Sequence, residues 1–305
     1  MFRDLFFNPA FLRRLEALTI VCKKAAMVSR KGGYVFINKN GNSIEFADYQ
    51  AYNPGDDFRY IDWNLYSRLD KLLIKTFKDE IELSVHILLD TSRSMSFPEG
   101  DGKFDFARKT ALALGYIGLS NQNSTRVVAL TPAHPETRSG LHQTPFFQKP
   151  SGIVHIKNFV QSLTTTGEAD LVNFLSRYTF DNKGKGGTIV LISDFMIPPH
   201  SYKRALDILR FKHYDIKVIQ VLGPREIDPF RDLKSGEIVD VETSERKVIN
   251  VTPTLKKKYH QLLENHNQEL KRYCHCIRAL YTLARTDMDF ESLILKELPK
   301  LGFVR

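Results

Sequence analysis

The chain has three cysteines in 305 residues, Cys22, Cys274 and Cys276, and a single tryptophan, Trp63. An odd, sparse set of thiols excludes a disulfide framework and fits a reducing cytoplasm, where the protein is expected to reside. Cys274-His275-Cys276 has the residue types of a metal fragment but lacks a second ligand pair and the spacing of a zinc knuckle. No apolar run approaches the roughly 20 residues that cross a bilayer, so no transmembrane segment is expected. The opening MFRDLFFNPAFLRRLEAL interleaves Phe and Leu with Arg and has no small-residue cleavage site. It reads as an amphipathic helix docked on the protein's own core and not as a signal peptide. Catalytic signatures are missing too: there is no H-E-x-x-H, no G-x-S-x-G and no G-x-x-x-x-G-K-[ST], and the nine histidines form no i, i+4 ligand pair. Gly184-Lys185-Gly186-Gly187 lacks the phosphate-loop spacing and precedes a strand. A non-enzymatic protein is expected.

What is present is an ordinary globular composition, 42% hydrophobic and 26% charged, in a chain long enough for one large domain or two. The formal net charge of +9 favours an acidic partner, an anionic membrane surface or nucleic acid. Lys and Arg are spread along the chain with no nucleic-acid-binding motif, so nucleic acid is not expected.

The stretch Leu83 to Ser96, LSVHILLDTSRSMS, organises the rest. Leu83, Val85, Ile87, Leu88 and Leu89 form a β-forming apolar run of strand length, the pattern of a strand covered on both faces. Asp90, Ser92 and Ser94 follow at spacing two, just past its carboxyl end, where open α/β sheets bind ligands. A carboxylate and two hydroxyls on one turn are hard oxygen donors of the kind Mg²⁺ prefers. The same residues also serve as ordinary turn and helix-cap residues. A second apolar strand, Thr188 to Ile192, ends in Ser193-Asp194-Phe195, so a parallel sheet would bring Asp90 and Asp194 to one edge.

The other elements are read in order. Helices are expected over about Pro9 to Lys24, Lys103 to Gln122, Ile153 to Leu163, Leu171 to Tyr178, Ser201 to His213, Thr254 to Cys276 and about Phe290 to Leu298. Strands are expected at Leu72 to Phe77, Thr125 to Leu130, Ile216 to Leu222 and Ala279 to Leu283. An Asn40-Gly41 turn between Gly33–Ile37 and Ser43–Phe46 signals a hairpin, and residues 131–151 read as a loop with an edge hairpin. Asp56, Asp57, Arg59, Asp62, Trp63 and Arg68 crowd one loop, expected to be tied down by Arg–Asp ion pairs. Alternating strands and helices predict a doubly wound, mostly parallel α/β sheet over 81–305, with a small β insertion near 224–251. Residues 1–80 are expected to form a separate N-terminal segment, a helix followed by β-rich chain.

The strand ending in Asp90-x-Ser92-x-Ser94 and the strand ending in Asp194 resemble the two outer parts of a von Willebrand factor type A domain. The loop GDDFRYIDW, followed by Arg68 and Leu72-x-x-Lys75-x-Phe77, resembles the signature of the bacterial "domain of unknown function 58" family. EFADYQAYNPGDD upstream and DVETSER downstream fit it as well, so the likeness spans nearly the whole chain. The resemblance implies a metal-ion-dependent adhesion site. Ser92 and Ser94 would ligate directly, Asp90 and Asp194 through water, and a partner's carboxylate would complete the octahedron. Mg²⁺ is the implied ion, with Mn²⁺ or Ca²⁺ as alternatives. A middle-loop Thr is also implied, but Ala169 stands in its place. Thr165, Thr166 or Glu168 are the candidate substitutes, and a missing oxygen weakens Mg²⁺ binding. The implied function is a protein–protein interaction module working with a MoxR-like AAA+ ATPase or another acidic protein surface. The alternatives are a structural scaffold with a vestigial metal site and a metal-dependent hydrolase.

Overall fold

The computed structural model describes residues 8–22, 46–54, 56, 58–77, 83–130, 141–167, 170–182, 187–230, 235–239 and 246–305. These fall into two compact units: one comprises 1–22 with 83–305, the other 23–82.

The smaller unit pairs β1 (Phe46–Ala51) with β2 (Leu73–Phe77) antiparallel, Ala51 opposite Leu73. Between them runs a short helix, α2 (Trp63–Leu69), preceded in chain order by α1 (Pro9–Glu16) of the larger unit. Asp62 starts α2: its Oδ1 accepts from the amides of Asn64 at 3.0 Å and Leu65 at 3.1 Å, filling two orphan donors of the first turn. Its Oδ2 pairs with Lys75 Nζ at 2.9 Å and accepts from Tyr49 Oη at 3.1 Å. The cation on Asp62 is thus a lysine from β2, where an arginine of the loop was expected. Strand pairing places Lys75 opposite Tyr49, so both reach the same carboxylate. The hairpin expected around Asn40-Gly41 lies outside the described residues.

The larger unit is built on a six-stranded sheet in the order β10-β7-β6-β3-β4-β5. Its strands are β3 (Ser84–Asp90), β4 (Ser124–Leu130), β5 (His142–Gln143), β6 (Thr188–Ser193), β7 (Asp215–Leu222) and β10 (Leu280–Arg285). All pairs are parallel except the edge pair β4–β5. A two-stranded antiparallel excursion, β8 (Ser235–Val239) with β9 (Arg246–Asn250), follows β7. The helices are α3 (Lys103–Ser120), α4 (Ile153–Ser162), α5 (Leu171–Asp181), α6 (Pro199–Phe211), a single turn α7 (Pro224–Ile227) and α8 (Pro253–Cys276).

The sheet is buried on both faces because its strands are apolar on both. In β3, Val85, Ile87 and Leu89 join the core shared with α1, α3 and α4, while Leu88 joins the core shared with α5, α6 and α8. The same alternation runs through Val190 and Ile192 against Ile189 and Leu191 in β6. Each such side chain contributes roughly 1.5–3 kcal/mol on full burial. This is the expected doubly wound α/β fold.

The direction in which the chain winds across the sheet reverses beside β3. From β3 the chain crosses through α3, on one face, to β4; from β6 it crosses through α6, on the other face, to β7. The crevice outside the carboxyl ends of β3 and β6 is therefore the topological switch point, where open α/β sheets leave room for a ligand.

At the N-terminus the structure differs from the sequence reading. α1 stops at Glu16, short of Lys24, and it belongs to the larger unit because Phe11 and Leu15 are buried in the core with α3. Beyond it, Thr19 and Val21 pair in extended form with Arg305 and Phe303. Lys217 on β7, 1% exposed, locks this arrangement by donating from Nζ to the carbonyls of Val21 and Phe303, the latter at 2.6 Å.

Candidate metal and docking site at the sheet edge

Asp90 is the last residue of β3 and is 2% exposed. Its carboxylate turns back on the chain: Oδ1 accepts from the Ser92 amide at 2.8 Å, and Oδ2 accepts from Ser193 Oγ at 2.5 Å. Register explains the second contact, since Leu89 pairs with Ile192 and the next residues are Asp90 and Ser193. Thr91 Oγ1 donates to the Leu130 carbonyl at 3.1 Å, tying the turn to β4, and fully buried Met95 anchors its far end. On this fixed turn Ser92 Oγ and Ser94 Oγ lie 3.0 Å apart.

Asp194 follows β6 and is also 2% exposed. Its Oδ1 accepts from the Met196 amide at 3.1 Å, and its carbonyl accepts from Gln220 Nε2 at 3.0 Å. Phe195 is fully buried in a left-handed backbone conformation, φ 55°, which turns the chain sharply beneath the carboxylate. The Phe195 carbonyl faces His266 Nε2 at 2.9 Å, and as a carbonyl only accepts, that nitrogen carries the proton.

Two further side chains complete the cluster. Lys103, the first residue of α3, donates from Nζ to Asp194 Oδ2 at 3.0 Å and to Glu226 Oε1 at 2.6 Å. Glu226, on α7, also accepts from the Gly223 amide through Oε2 at 3.1 Å. The Lys103 side chain is 1% exposed and that of Glu226 13%. Sequence reading missed all three of Lys103, Glu226 and the supporting role of Ser193. Only Ser193 carried a signal, its place beside Asp194 at a strand end.

The electrostatics follow from burial. Desolvation, with the charge of Asp194 added, pushes the Asp90 carboxyl up to about 6 against the hydrogen bonds from Ser193 and Ser92. Desolvation likewise pushes Glu226 up to about 7; Lys103 pulls it down and Asp194 pushes it further up. Burial alone would lower the Lys103 value, but Asp194 and Glu226 on either side override it and hold the ammonium above its ordinary range. One ammonium between two carboxylates matches only one of them.

The middle loop approaches the same edge. Thr166 N donates to the Thr91 carbonyl at 2.8 Å, and Arg93 N donates to the Gly167 carbonyl at 3.0 Å. These two bonds stitch the segment holding Thr165 and Thr166 to the Asp90 turn. Glu168 and Ala169 lie outside the described residues.

The donor set suits a hard cation in part. Mg–O bonds of about 2.1 Å at right angles place neighbouring oxygens about 3.0 Å apart, the separation of the two serine hydroxyls, which is also that of a hydrogen bond between them. Among the described residues no group of three or more His, Cys, Asp and Glu side chains is arranged to hold a metal, so an ion at this edge would depend on the hydroxyls. Asp194 departs from the pattern, since an ammonium already sits on its carboxylate. Cys274 and Cys276 form no rival centre: the first is buried, with its thiol pushed up to about 12 by desolvation, and the second is exposed.

Residues 48–269 match the family described as "Protein of unknown function DUF58". The chain belongs to that family. A relative from Mycobacterium bovis, described as an uncharacterized protein, is 22% identical over 263 residues, covering 84% of this chain and 79% of the relative; one from Mycobacterium tuberculosis matches to the same extent. Similar solved structures include a conserved hypothetical protein BatB from Bacteroides thetaiotaomicron, 17% identical, covering 72% of this chain and 98% of that one at a TM-score of 0.42. A von Willebrand factor type A protein from Catenulispora acidiphila is 15% identical, covering 76% and 43% at a TM-score of 0.41. Both likenesses concern fold alone. Among the described residues no helix is long and apolar enough to cross a membrane.

Proposed function

We propose that this DUF58 protein is a non-enzymatic interaction module of the cytoplasm that docks a protein partner at the sheet edge formed by Asp90, Ser92, Ser94 and Asp194. The observation that carries the reading is the pair of hydroxyls 3.0 Å apart on a rigid turn beside two buried carboxylates, at the switch point of the sheet. In this reading Ser92 and Ser94 hold a Mg²⁺ ion directly, Asp90 and Asp194 support it through water, and Thr165 or Thr166 supplies a further oxygen. Mn²⁺ and Ca²⁺ are the alternative ions. A divalent ion held there would supply an attachment point for a carboxylate of the partner. The family resemblance suggests a MoxR-like AAA+ ATPase as that partner, and the net charge of +9 favours an acidic surface.

The test is binding of the purified chain to a purified MoxR-like ATPase, with and without EDTA. Binding that is lost in EDTA and in Asp90→Ala supports the metal-bridged reading; binding unaffected by both overturns it. A second reading, a scaffold with a vestigial metal site, draws on the Lys103 ammonium already paired with Asp194. It predicts partner binding indifferent to divalent ions.

A further inference from the structure

We propose that the amino edge of the six-stranded sheet, opposite Asp90 and Asp194, is a second interaction surface, which binds an anionic lipid bilayer. Parallel strands set what collects there. Each helix between them returns from the carboxyl edge, so α5, α6 and α8 all end at the amino edge, ahead of β6, β7 and β10. The ends of α5 and α6 lie side by side. Leu175 and Tyr178 share one core with Leu206 and Leu209, and the Asp215 amide donates to the Gly187 carbonyl at 2.9 Å. Lys203 Nζ on α6 donates to Glu269 on α8 at 2.6 Å and ties the third helix alongside.

Two large apolar rings stand on these ends in water. Phe180, on the last turn of α5, is 63% exposed, and Phe211, the last residue of α6, is 77% exposed. Over the last two turns of the three helices and the described loops after them, Arg177, Arg210, Lys212, Lys271, Arg272 and Arg278 are exposed. The exposed carboxylates there are Asp181 and Asp207. Helix ends by themselves do not call for this charge. α3 ends at the same edge, and Gln122, His213 and Arg278 take the same left-handed turn, with φ of 56°, 61° and 62°. In each case the next amide closes on the helix, Asn123 on Gly118, Tyr214 on Leu209 and Ala279 on Cys274, so backbone already serves the last carbonyls. The turn after α3 reads Asn121-Gln122-Asn123 and carries no charge. The cations and exposed rings therefore mark the ends of α5, α6 and α8. An anionic bilayer meets both features at once: lipid phosphates take the cations, and the rings enter the acyl boundary.

Flotation of the full chain with vesicles of phosphatidylglycerol and phosphatidylcholine in equal parts, against phosphatidylcholine alone, tests this. Wild type is expected to float with the anionic vesicles only. Any chain of net charge +9 is drawn to an anionic surface, so the variants decide. Arg210→Gln/Lys212→Gln is expected to bind about thirtyfold more weakly. Phe180→Ser/Phe211→Ser, at unchanged charge, is expected to bind about tenfold more weakly. Lys257→Gln/Lys258→Gln removes the same charge at the exposed start of α8, near the carboxyl edge, and is expected to bind close to wild type. Circular dichroism checks each fold. Absence of wild-type binding overturns the proposal, as does equal weakening by both charge pairs or no effect of the phenylalanine pair. A lipid-free dimer that Phe180→Ser/Phe211→Ser dissociates also overturns it, by making this edge an interface between copies of the chain. None of these results bears on the docking edge at Asp90.

Discussion

Ser92 Oγ and Ser94 Oγ lie 3.0 Å apart on a turn whose two ends are pinned, by Asp90 to Ser193 and by buried Met95 to the core. The two hydroxyls are thus fixed within hydrogen-bonding distance of each other, a spacing that would also suit two oxygen ligands under the proposed reading. Preorganisation of this kind reduces the ordering cost of binding.

Ser94→Ala deletes one of the two hydroxyls at a half-buried position and leaves the Asp90 hydrogen bonds intact. Mg²⁺ affinity is expected to fall at least about tenfold, while the thermal midpoint in EDTA stays close to wild type. Paired melting curves with and without Mg²⁺ check this.

Asp62 gives the smaller unit a pH dependence of known sign. The hydrogen bond from Lys75, then that from the Leu65 amide, hold its carboxyl at about 2, below the ordinary 3.8. Folding favours the ionised form, so the contribution is full above pH ~4 and is lost as pH falls through about 2. Asp62→Asn is expected to destabilise this unit at pH 7, with the difference from wild type vanishing on acidification between those limits. Trp63, the one tryptophan, sits next to Asp62 and reports the transition by fluorescence.

Lys217→Met removes the donor shared by the Val21 and Phe303 carbonyls. The Val21 carbonyl loses this donor while that of Phe303 keeps the Val21 amide, a loss of about 2 kcal/mol. Denaturant unfolding should show that loss, and limited proteolysis should cut near the C-terminus sooner.

Gly187 leads into β6 where a Cβ would stand 2.3 Å from the Ser84 carbonyl oxygen. That neighbour is backbone of β3 and cannot swing away, so Gly187→Ala is expected to destabilise by about 1–3 kcal/mol. Gly102→Ala, with open space around it, would suffer only from its positive φ. Urea midpoints of the two variants separate packing from backbone strain.

Much of this was legible in the residues. The apolar runs of β3 and β6 announce strands buried on both faces, and an aspartate at the end of each places two carboxylates at one sheet edge. The N-terminal helix was overextended because Leu18 and Val21 continue a helical spacing, whereas residues 19–21 serve equally as an extended strand and find a partner at 303–305. Lys103 and Glu226 were not legible. A lysine at a helix start among 44 Lys and Arg residues has no pattern of its own, and its partner stands 123 residues on in a stretch read as β-like. Their meeting depends on β7 lying beside β6, which only the assembled sheet fixes.

Titrating Mg²⁺ calorimetrically into wild type and into Ser92→Ala/Ser94→Ala shows most directly whether the serine turn holds a divalent ion. Saturable binding of a single ion to wild type and none to the double variant is expected. Equal heats from both chains, or no binding to wild type at millimolar Mg²⁺, would contradict it.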